Sequence, residues 1–224
     1  MTVRAPDRSG SADPGQDPVR CRAQGGEPWP SQQGKGPSPW AAECLRPLSR
    51  GQVADRLGEL GDLYAENSGG GPWEWNEGRG LFLHRLVLDL RRPGFALLIA
   101  EAATMTGCAY GFPVCDDGPR WRGLDGNCPP ALHRLAASGR LFAVPAIVVR
   151  PWVCTQYPGR DWNLARRLQR RLLTDHDAAL GVTVVARGDV RTLRALRSWG
   201  WRSPTPGARA TPRHAPCRVL VLDR

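Results

Sequence analysis

The sequence predicts an α/β fold in which a partly parallel β-sheet is covered by helices on both faces. Short apolar runs, of which residues 141–149 are the longest, have the length of buried strands. Segments with apolar residues three and four positions apart, such as 53–64, predict helices that pack on such a sheet. Strands and helices alternate in the second half of the chain, and this alternation is typical of parallel pairing.

The first 48 residues differ in composition from the rest of the chain. They contain 8 prolines and 6 glycines and few aliphatic side chains. Such a segment cannot bury enough apolar surface to offset the entropy lost on ordering. We therefore expect residues 1–48 to be a disordered tail and residues 49–224 to form one folded domain.

Helical signals begin directly after this tail. Ser49 and Gln52 have the spacing of a capping box, and the apolar periodicity that follows predicts a helix to about Glu66. The run Ser-Gly-Gly-Gly-Pro at 68–72 should end it. A second helix is predicted over 77–91, before Pro-Gly.

The remaining elements follow in the order strand, strand, helix, strand, helix, strand, helix, strand. Asp189 is placed as the N-cap of the last helix, and Gly200 as its end. Pro145 lacks an N–H group, so it indicates a bulge or an edge within its strand. The predicted ranges are 95–100, 105–114, 129–138, 141–149, 162–179, 181–186, 190–199 and 217–222.

The chain is strongly basic, with 31 Lys and Arg against 21 Asp and Glu and a net charge of +10. Lys35 is its single lysine, and this arginine bias with 26 Gly and 21 Pro is typical of bacterial genomes rich in GC. A basic surface favours anionic partners. Nucleic acid ranks last among them, because no nucleic-acid motif is present. The arginines at 166, 167, 170 and 171 are interpreted as a solvated helix face.

Cysteine usage predicts neither a metal site nor a disulfide framework. The count is odd and no Cys-x-x-Cys pair occurs. No apolar run has the length of a signal peptide core or a transmembrane helix, so we expect a cytoplasmic protein without membrane contact. The seven cysteines are at 21, 44, 108, 115, 128, 154 and 217.

Residues 141–173 form the most informative segment of the chain. A buried strand leads through a loop rich in Pro and Gly into a basic helix. The first N–H groups of a helix lack intrahelical acceptors, and the helix dipole is positive at that end. The segment therefore predicts a binding site for an anionic group such as a phosphate.

Together with the order of elements, this segment resembles the GCN5-related N-acetyltransferase (GNAT) family over roughly residues 49–224. In that family a Gln/Arg-x-x-Gly-x-Gly/Ala turn binds the pyrophosphate of acetyl-CoA. The resemblance implies a mixed sheet of about six strands flanked by helices, with acetyl-CoA or another acyl-CoA as co-substrate. Asp161 and Asn163 depart from the family's small residues. The positions that it implies for CoA binding are Val148, Val149, Gln156, Tyr157, Gly159, Arg160, Asp161, Trp162 and Asn163.

A second similarity follows the strand at 181–186. There the family shows Asn-x-x-Ala-x-x-x-Tyr-x-x-x-Gly-Phe, and this chain has Asp189, Thr192, Leu196, Gly200 and Trp201 at those spacings. Asp189 is thereby added to the expected CoA-binding residues.

The catalytic residues are not assigned by the resemblance. The family's tyrosine, which protonates the departing CoA thiolate, is replaced by Leu196, and Leu196 has no proton to donate. Tyr157 is the nearest candidate for that acid. Glu101, at the end of a buried strand, is a candidate base for the acceptor amine.

These residues lead to two hypotheses about function. The first is an acyl-CoA-dependent N-acetyltransferase whose acceptor is a small-molecule amine or a protein amine. The alternative is a GNAT-like module that has lost catalysis and senses CoA or binds another protein. The oligomeric state is left open by the sequence.

Overall fold

A computed structural model describes residues 44–67, 71–115, 130–151, 163–204 and 217–224. Within these ranges six strands form one mixed sheet with helices on both faces, which confirms the predicted α/β class. The strands are β1 Cys44–Leu48, β2 Ala96–Glu101, β3 Met105–Pro113, β4 Leu141–Val149, β5 Leu180–Ala186 and β6 Cys217–Asp223. The helices are α1 Arg50–Asp55, α2 Leu57–Glu66, α3 Pro72–Leu90, α4 Pro130–Ala137, α5 Leu164–Asp175 and α6 Val190–Ser198.

The strands are arranged across the sheet in their chain order, β1 to β6. Every neighbouring pair is antiparallel except β4 and β5, which are parallel. Parallel neighbours require a crossover, and α5 lies in the connection between these two strands. The sheet therefore changes from antiparallel to parallel pairing at only one position, between β4 and β5.

Strand β1 corrects the prediction that disorder extends through residue 48. Cys44–Leu48 pairs antiparallel with β2 along its whole length, from Cys44↔Glu101 to Leu48↔Leu97. Pro47 is compatible with this strand because β1 is the edge strand of the described sheet, where a proline is tolerated. Arg46 also binds Glu101 on β2, a contact that no local pattern predicts.

The capping box at the first helix is confirmed, but the helix itself is broken. Gln52 N donates to Ser49 Oγ at 3.3 Å, and Ser49 N donates to Gln52 Oε1 at 2.8 Å. At Arg56 the backbone leaves helical geometry (φ −109°, ψ 14°), so the predicted single helix is α1 followed by α2.

Two other helix boundaries also differ from the prediction. α3 begins at Pro72 rather than at 77, because proline is favoured in the first helical turn and Glu74 Oε2 accepts from Gly71 N. α5 ends at Asp175 rather than near 179, just before Asp177, whose φ is +49°. None of the described helices is long and apolar enough to cross a membrane.

Apolar side chains fill both faces of the sheet. On one face α5 and α6 pack through residues such as Leu168 and Leu193, and Phe142 lies beneath them. On the other face α1, α2 and α3 cover β1 to β3 around Tyr110 and Leu60. α4 covers the β4–β6 part of the sheet, where its residues pack on side chains of all three strands.

A β-bulge interrupts β4 at the predicted position. Tyr110 is opposite Ala146 and Phe112 is opposite Ala143, so β4 has one residue more than β3 across this interval, which includes Pro145. Gly111 lies inside the bulge. A Cβ atom there would be 2.2 Å from the Ala143 carbonyl oxygen and 2.5 Å from the Phe142 ring.

We therefore predict that Gly111→Ala lowers the free energy of unfolding by about 2–3 kcal/mol, because backbone atoms of β4 would have to move. The control Gly51→Ala places a methyl group in open space on α1. It should be neutral or stabilising by up to about 1 kcal/mol. Urea unfolding of both variants measures the difference, and equal stabilities would contradict this account of the bulge.

Candidate functional site

β4 and β5 pair over only part of their lengths. Their parallel register covers three residue pairs, Leu141↔Leu180, Phe142↔Gly181 and Ala143↔Val182. β4 nevertheless continues to Val149 beside β3, and β5 continues beside β6 to Ala186, which is opposite Cys217. The two strands therefore separate after Ala143 while each stays in the sheet. We call this opening, between 144–149 and 183–186, the β4–β5 fork.

The fork offers backbone groups rather than side chains. In a strand, the N–H and C=O groups of about every second residue point to the same neighbour. Beyond Ala143, the β4 backbone groups on the side of β5 point into the fork. Val148 packs in the core under α1–α3 and Val149 in the core under α5, and both are buried. These two predicted residues therefore lie at the fork with their side chains in the core on opposite sheet faces.

The start of α5 lies against the strands next to the fork. A Cβ atom on Gly107 of β3 would be 3.1 Å from Leu164 Cδ2 and 3.1 Å from the Val148 carbonyl oxygen. Asn163 is the N-cap, and its side chain accepts from Arg166 N at 3.3 Å. The first turn contains no acidic residue. The positive end of the α5 dipole is thus close to the end of β4.

Most of the predicted phosphate-binding loop lies outside the described residues. The description stops at Pro151 and resumes at Asn163. Its predicted role therefore remains a prediction. The residues concerned are Gln156, Tyr157, Gly159, Arg160, Asp161 and Trp162.

Asp189 lies just beyond the end of the other strand of the fork, β5. Its side chain accepts from Thr192 N at 2.9 Å and caps α6, which confirms the predicted cap. Leu196, on the same helix, is buried in the core with α5. Its side chain is therefore part of the packing between helix and sheet.

A polar link between α5 and the end of α6 was missed by the sequence reasoning. Gln169 Nε2 donates to the Trp199 carbonyl at 2.8 Å, and Trp201 Nε1 donates to Gln169 Oε1 at 2.9 Å. Arg166 Nη2 donates to the Ser198 carbonyl at 2.6 Å. A buried glutamine on an amphipathic helix was the only local signal. These bonds hold α5 at a defined position beside the fork.

Glu101, the candidate base, is engaged by two arginines. Arg46 donates to its Oε2 from Nε (3.0 Å) and Nη2 (2.9 Å), and Arg56 Nη2 donates to its Oε1 at 2.6 Å. The hydrogen bond from Arg56, followed by that from Arg46, lowers the pKa of the Glu101 carboxyl against the opposing effect of burial. A carboxylate with a lowered pKa is a weaker base, so the described geometry favours a structural role.

Arg150 and Glu66 were not predicted from the sequence. Arg150 follows β4 directly, and its backbone N donates to the Thr106 carbonyl at 3.0 Å. Its Nη2 lies 3.4 Å from Glu66 Oε1, at the end of α2. Its buried Nε has no acceptor among the described residues. This pair brings charged groups to the end of the fork on the sheet face opposite α5.

Comparison with known proteins gives matches only among solved structures. No family model matches the chain, and no curated protein matches it. PaiA N-acetyltransferase from Thermoplasma acidophilum, in complex with coenzyme A, matches at 9% identity and a TM-score of 0.48 over 81% of this chain and 99% of that one. Aminoglycoside acetyltransferase AAC(6′)-Ib with coenzyme A matches at 15% and 0.47 over 81% and 95%. An acetyltransferase from Streptococcus agalactiae matches at 11% and 0.43 over 82% and 99%.

The ion pairs of Glu101 generate a stability prediction. Glu101→Gln should lower the free energy of unfolding at pH 7 by about 1–2 kcal/mol, because two part-buried guanidinium groups lose a charged acceptor. A lowered carboxyl pKa stabilises the folded state above the unfolded-state pKa, and this contribution is lost as pH falls through the folded-state pKa.

The free energy of unfolding should be measured for Glu101→Gln and for the wild type between pH 7 and about pH 3. The difference between the two proteins should be smallest at the acidic end of this range. Asp55→Asn, at an exposed position at the end of α1, is the matched control and should follow the wild type. A constant difference between Glu101→Gln and wild type at all pH values would contradict the ion-pair explanation.

Proposed function

We propose that the chain is a divergent GNAT-family enzyme that transfers an acetyl group from acetyl-CoA, or another acyl group from its CoA thioester, to an amine. The observation that carries the proposal is the β4–β5 fork, where parallel pairing stops at Ala143↔Val182 although both strands continue. Val148 and Val149, two positions that the sequence resemblance implied for CoA binding, lie at this opening in the sheet.

The fork has the chemistry that the pantetheine arm of CoA requires. Pantetheine contains amide groups, and such a chain can pair with a free strand edge through N–H···O bonds. The groups of β4 beyond Ala143, which on this side pair with no described strand, would supply that edge, with Val148 and Val149 as the proposed contacts. Because their side chains are buried in the core, recognition here would depend on the backbone.

The CoA phosphates are proposed to lie on residues 156–163 and the first turn of α5. Leu164 and Ala165 contribute N–H groups that the helix itself leaves without acceptors. Asn163 satisfies the Arg166 N–H with its side chain, so it replaces the family's small residue with a neutral cap. A net charge of +10 adds a favourable long-range field for a polyphosphate.

In the proposed reaction, the unprotonated amine attacks the thioester carbonyl carbon. A C–N bond forms, the C–S bond breaks, and the CoA thiolate takes a proton while the new amide nitrogen loses one. A β4 N–H group at the fork would stabilise the carbonyl oxygen as negative charge develops. Tyr157 is the proposed acid, since Leu196 is packed in the core and cannot donate a proton.

The second candidate is a CoA-binding module without catalysis. Two observations motivate it: Leu196 stands at the position of the family's tyrosine, and two arginines bind Glu101, one of the two candidate catalytic residues. Nucleic-acid binding stays the least supported function. Of the four helix arginines, Arg166 donates to the Ser198 carbonyl and Arg171 pairs with Asp175, so these two side chains already have partners within the chain.

Calorimetry with acetyl-CoA, followed by mass spectrometry of amine products, tests both candidates. We expect binding in the micromolar range and acetylation of at least one class in a panel of polyamines, aminoglycosides, amino acids and peptides. Binding without product in the whole panel would favour the module. Absence of binding at about 1 mM CoA, a concentration at which a functional site would be occupied, would refute both.

Asn163→Asp separates the cap from the phosphate site. Aspartate is an equally good N-cap and interacts favourably with the helix dipole, so stability should be retained or slightly increased. The added negative charge should repel the CoA phosphates by about 1 kcal/mol, which weakens binding about fivefold. Calorimetric titration with CoA and thermal unfolding measure the two effects.

Asn76→Asp is the matched control. Asn76 is exposed on α3, on the opposite face of the sheet, so the same added charge should leave CoA affinity nearly unchanged. If Asn163→Asp and wild type bind CoA with equal affinity, the phosphates do not lie at the start of α5.

A further inference from the structure

The outer side of α3 carries an exposed apolar stripe. Trp73 is 80% exposed, Leu81 65% and Leu88 48%. At 100° per residue the three lie within an arc of about 80°, and the opposite side of the helix buries Phe82 and Leu86. Single exposed leucines are common on protein surfaces, but three large apolar side chains along one helix indicate a contact surface.

Charges are distributed unevenly along the same side of α3. The exposed acidic residues Glu74 and Glu77 precede Leu81, and the exposed basic residues Arg85 and Arg91 follow it. Glu77 and Arg85 are each four residues from Leu81, so they flank it along the helix. Neither forms an ion pair with any of the described residues. The surface is thus acidic at one end and basic at the other, with three large apolar side chains spaced along it.

We propose that two copies of this chain pair through α3 in an antiparallel arrangement about a twofold axis near Leu81. A twofold interface must be complementary to itself. Antiparallel alignment places the acidic half of each helix opposite the basic half of the other, whereas parallel alignment would oppose like charges.

The shape of the helix fits the same arrangement. Leu81 meets its own copy at the centre, and Trp73 at one end packs on Leu88 of the other copy. Gly80 is exposed beside Leu81, and a Cβ atom there would have no neighbour within 4 Å, so the two helices can approach closely.

The size of this surface determines the expected affinity. A helix of 19 residues is about 28 Å long, and an interface of one helix from each copy falls below the roughly 1,200 Å² of a standard stable interface. We therefore expect a reversible dimer with a dissociation constant in the micromolar range. This proposal does not depend on the proposed enzymatic function.

Sedimentation velocity of the full chain from about 1 to 100 μM, a range that brackets a micromolar dissociation constant, tests dimer formation. The wild type should shift from monomer to dimer with rising concentration. Leu81→Glu places two carboxylates at the twofold axis and should weaken association at least about tenfold. Val190→Glu changes another exposed apolar residue (60% exposed), on α6, and should associate as the wild type does.

Charge exchange tests the antiparallel orientation. Glu77→Arg and Arg85→Glu alone should each weaken the homodimer about tenfold, because like charges then face each other. The double variant Glu77→Arg/Arg85→Glu should restore wild-type association. Thermal unfolding of each variant confirms that it is folded. A wild type that stays monomeric throughout, or folded single variants that the double exchange does not rescue, would overturn the proposal.

Discussion

The early end of the β4–β5 pairing is the constraint on which the functional part of the structure depends. Three residue pairs hold the two parallel strands together, and beyond Ala143 the described residues pair each of them only with its outer neighbour. Pro145 has no N–H group to donate, and the bulge around it starts where the pairing stops. Gly111 allows Phe142 and Ala143 to pack directly against β3 at this point. The bend of β4 away from β5 thus follows from a glycine and a proline on neighbouring strands.

The helix α5 maintains this opening by packing at both ends of the fork. At the closed end, a Cβ atom on Gly181 would lie 3.3 Å from both Leu173 and Trp201, so the helix and the tryptophan pack tightly on β5. At the open end, Leu164 packs over Gly107 of β3. Gln169 joins α5 to the end of α6 by two hydrogen bonds. A helix held in this way keeps its N-terminus, and therefore its positive dipole end, at a constant position beside β4.

Charged groups at the same end of the sheet form ion pairs within the protein. Glu101 connects β1, β2 and the junction of α1 and α2 through Arg46 and Arg56, so its charge is used for structure. Arg150 and Glu66 form a looser pair at the end of β4. The proposed phosphate site lies on the α5 face and this pair on the α2 face. A ligand in the fork would therefore meet a different polar environment on each face of the sheet.

Local signals predicted much of this structure because their physical causes are local. The capping box at Ser49 and the Asp189 cap each depend on residues within a few positions of one another, and the single residue Pro145 indicated the bulge. The strand at 141–149 was clear because its apolar run matches a buried strand in length. These features establish the fold class and the helix whose N-terminus lies beside the proposed CoA site.

Contacts between distant parts of the chain decided the rest. β1 forms because Cys44–Leu48 pairs with residues about fifty positions later, and Glu101 loses its availability as a base to Arg46 and Arg56 for the same reason. The fork is the part of β4 and β5, beyond Ala143 and Val182, over which these two strands do not pair. The sequence by itself determined which segments become strands and helices, because periodicity and capping act over a few residues. Only the tertiary structure decided where β4 leaves β5, because that depends on Gly111 of β3 receiving Phe142 and Ala143 of the neighbouring strand.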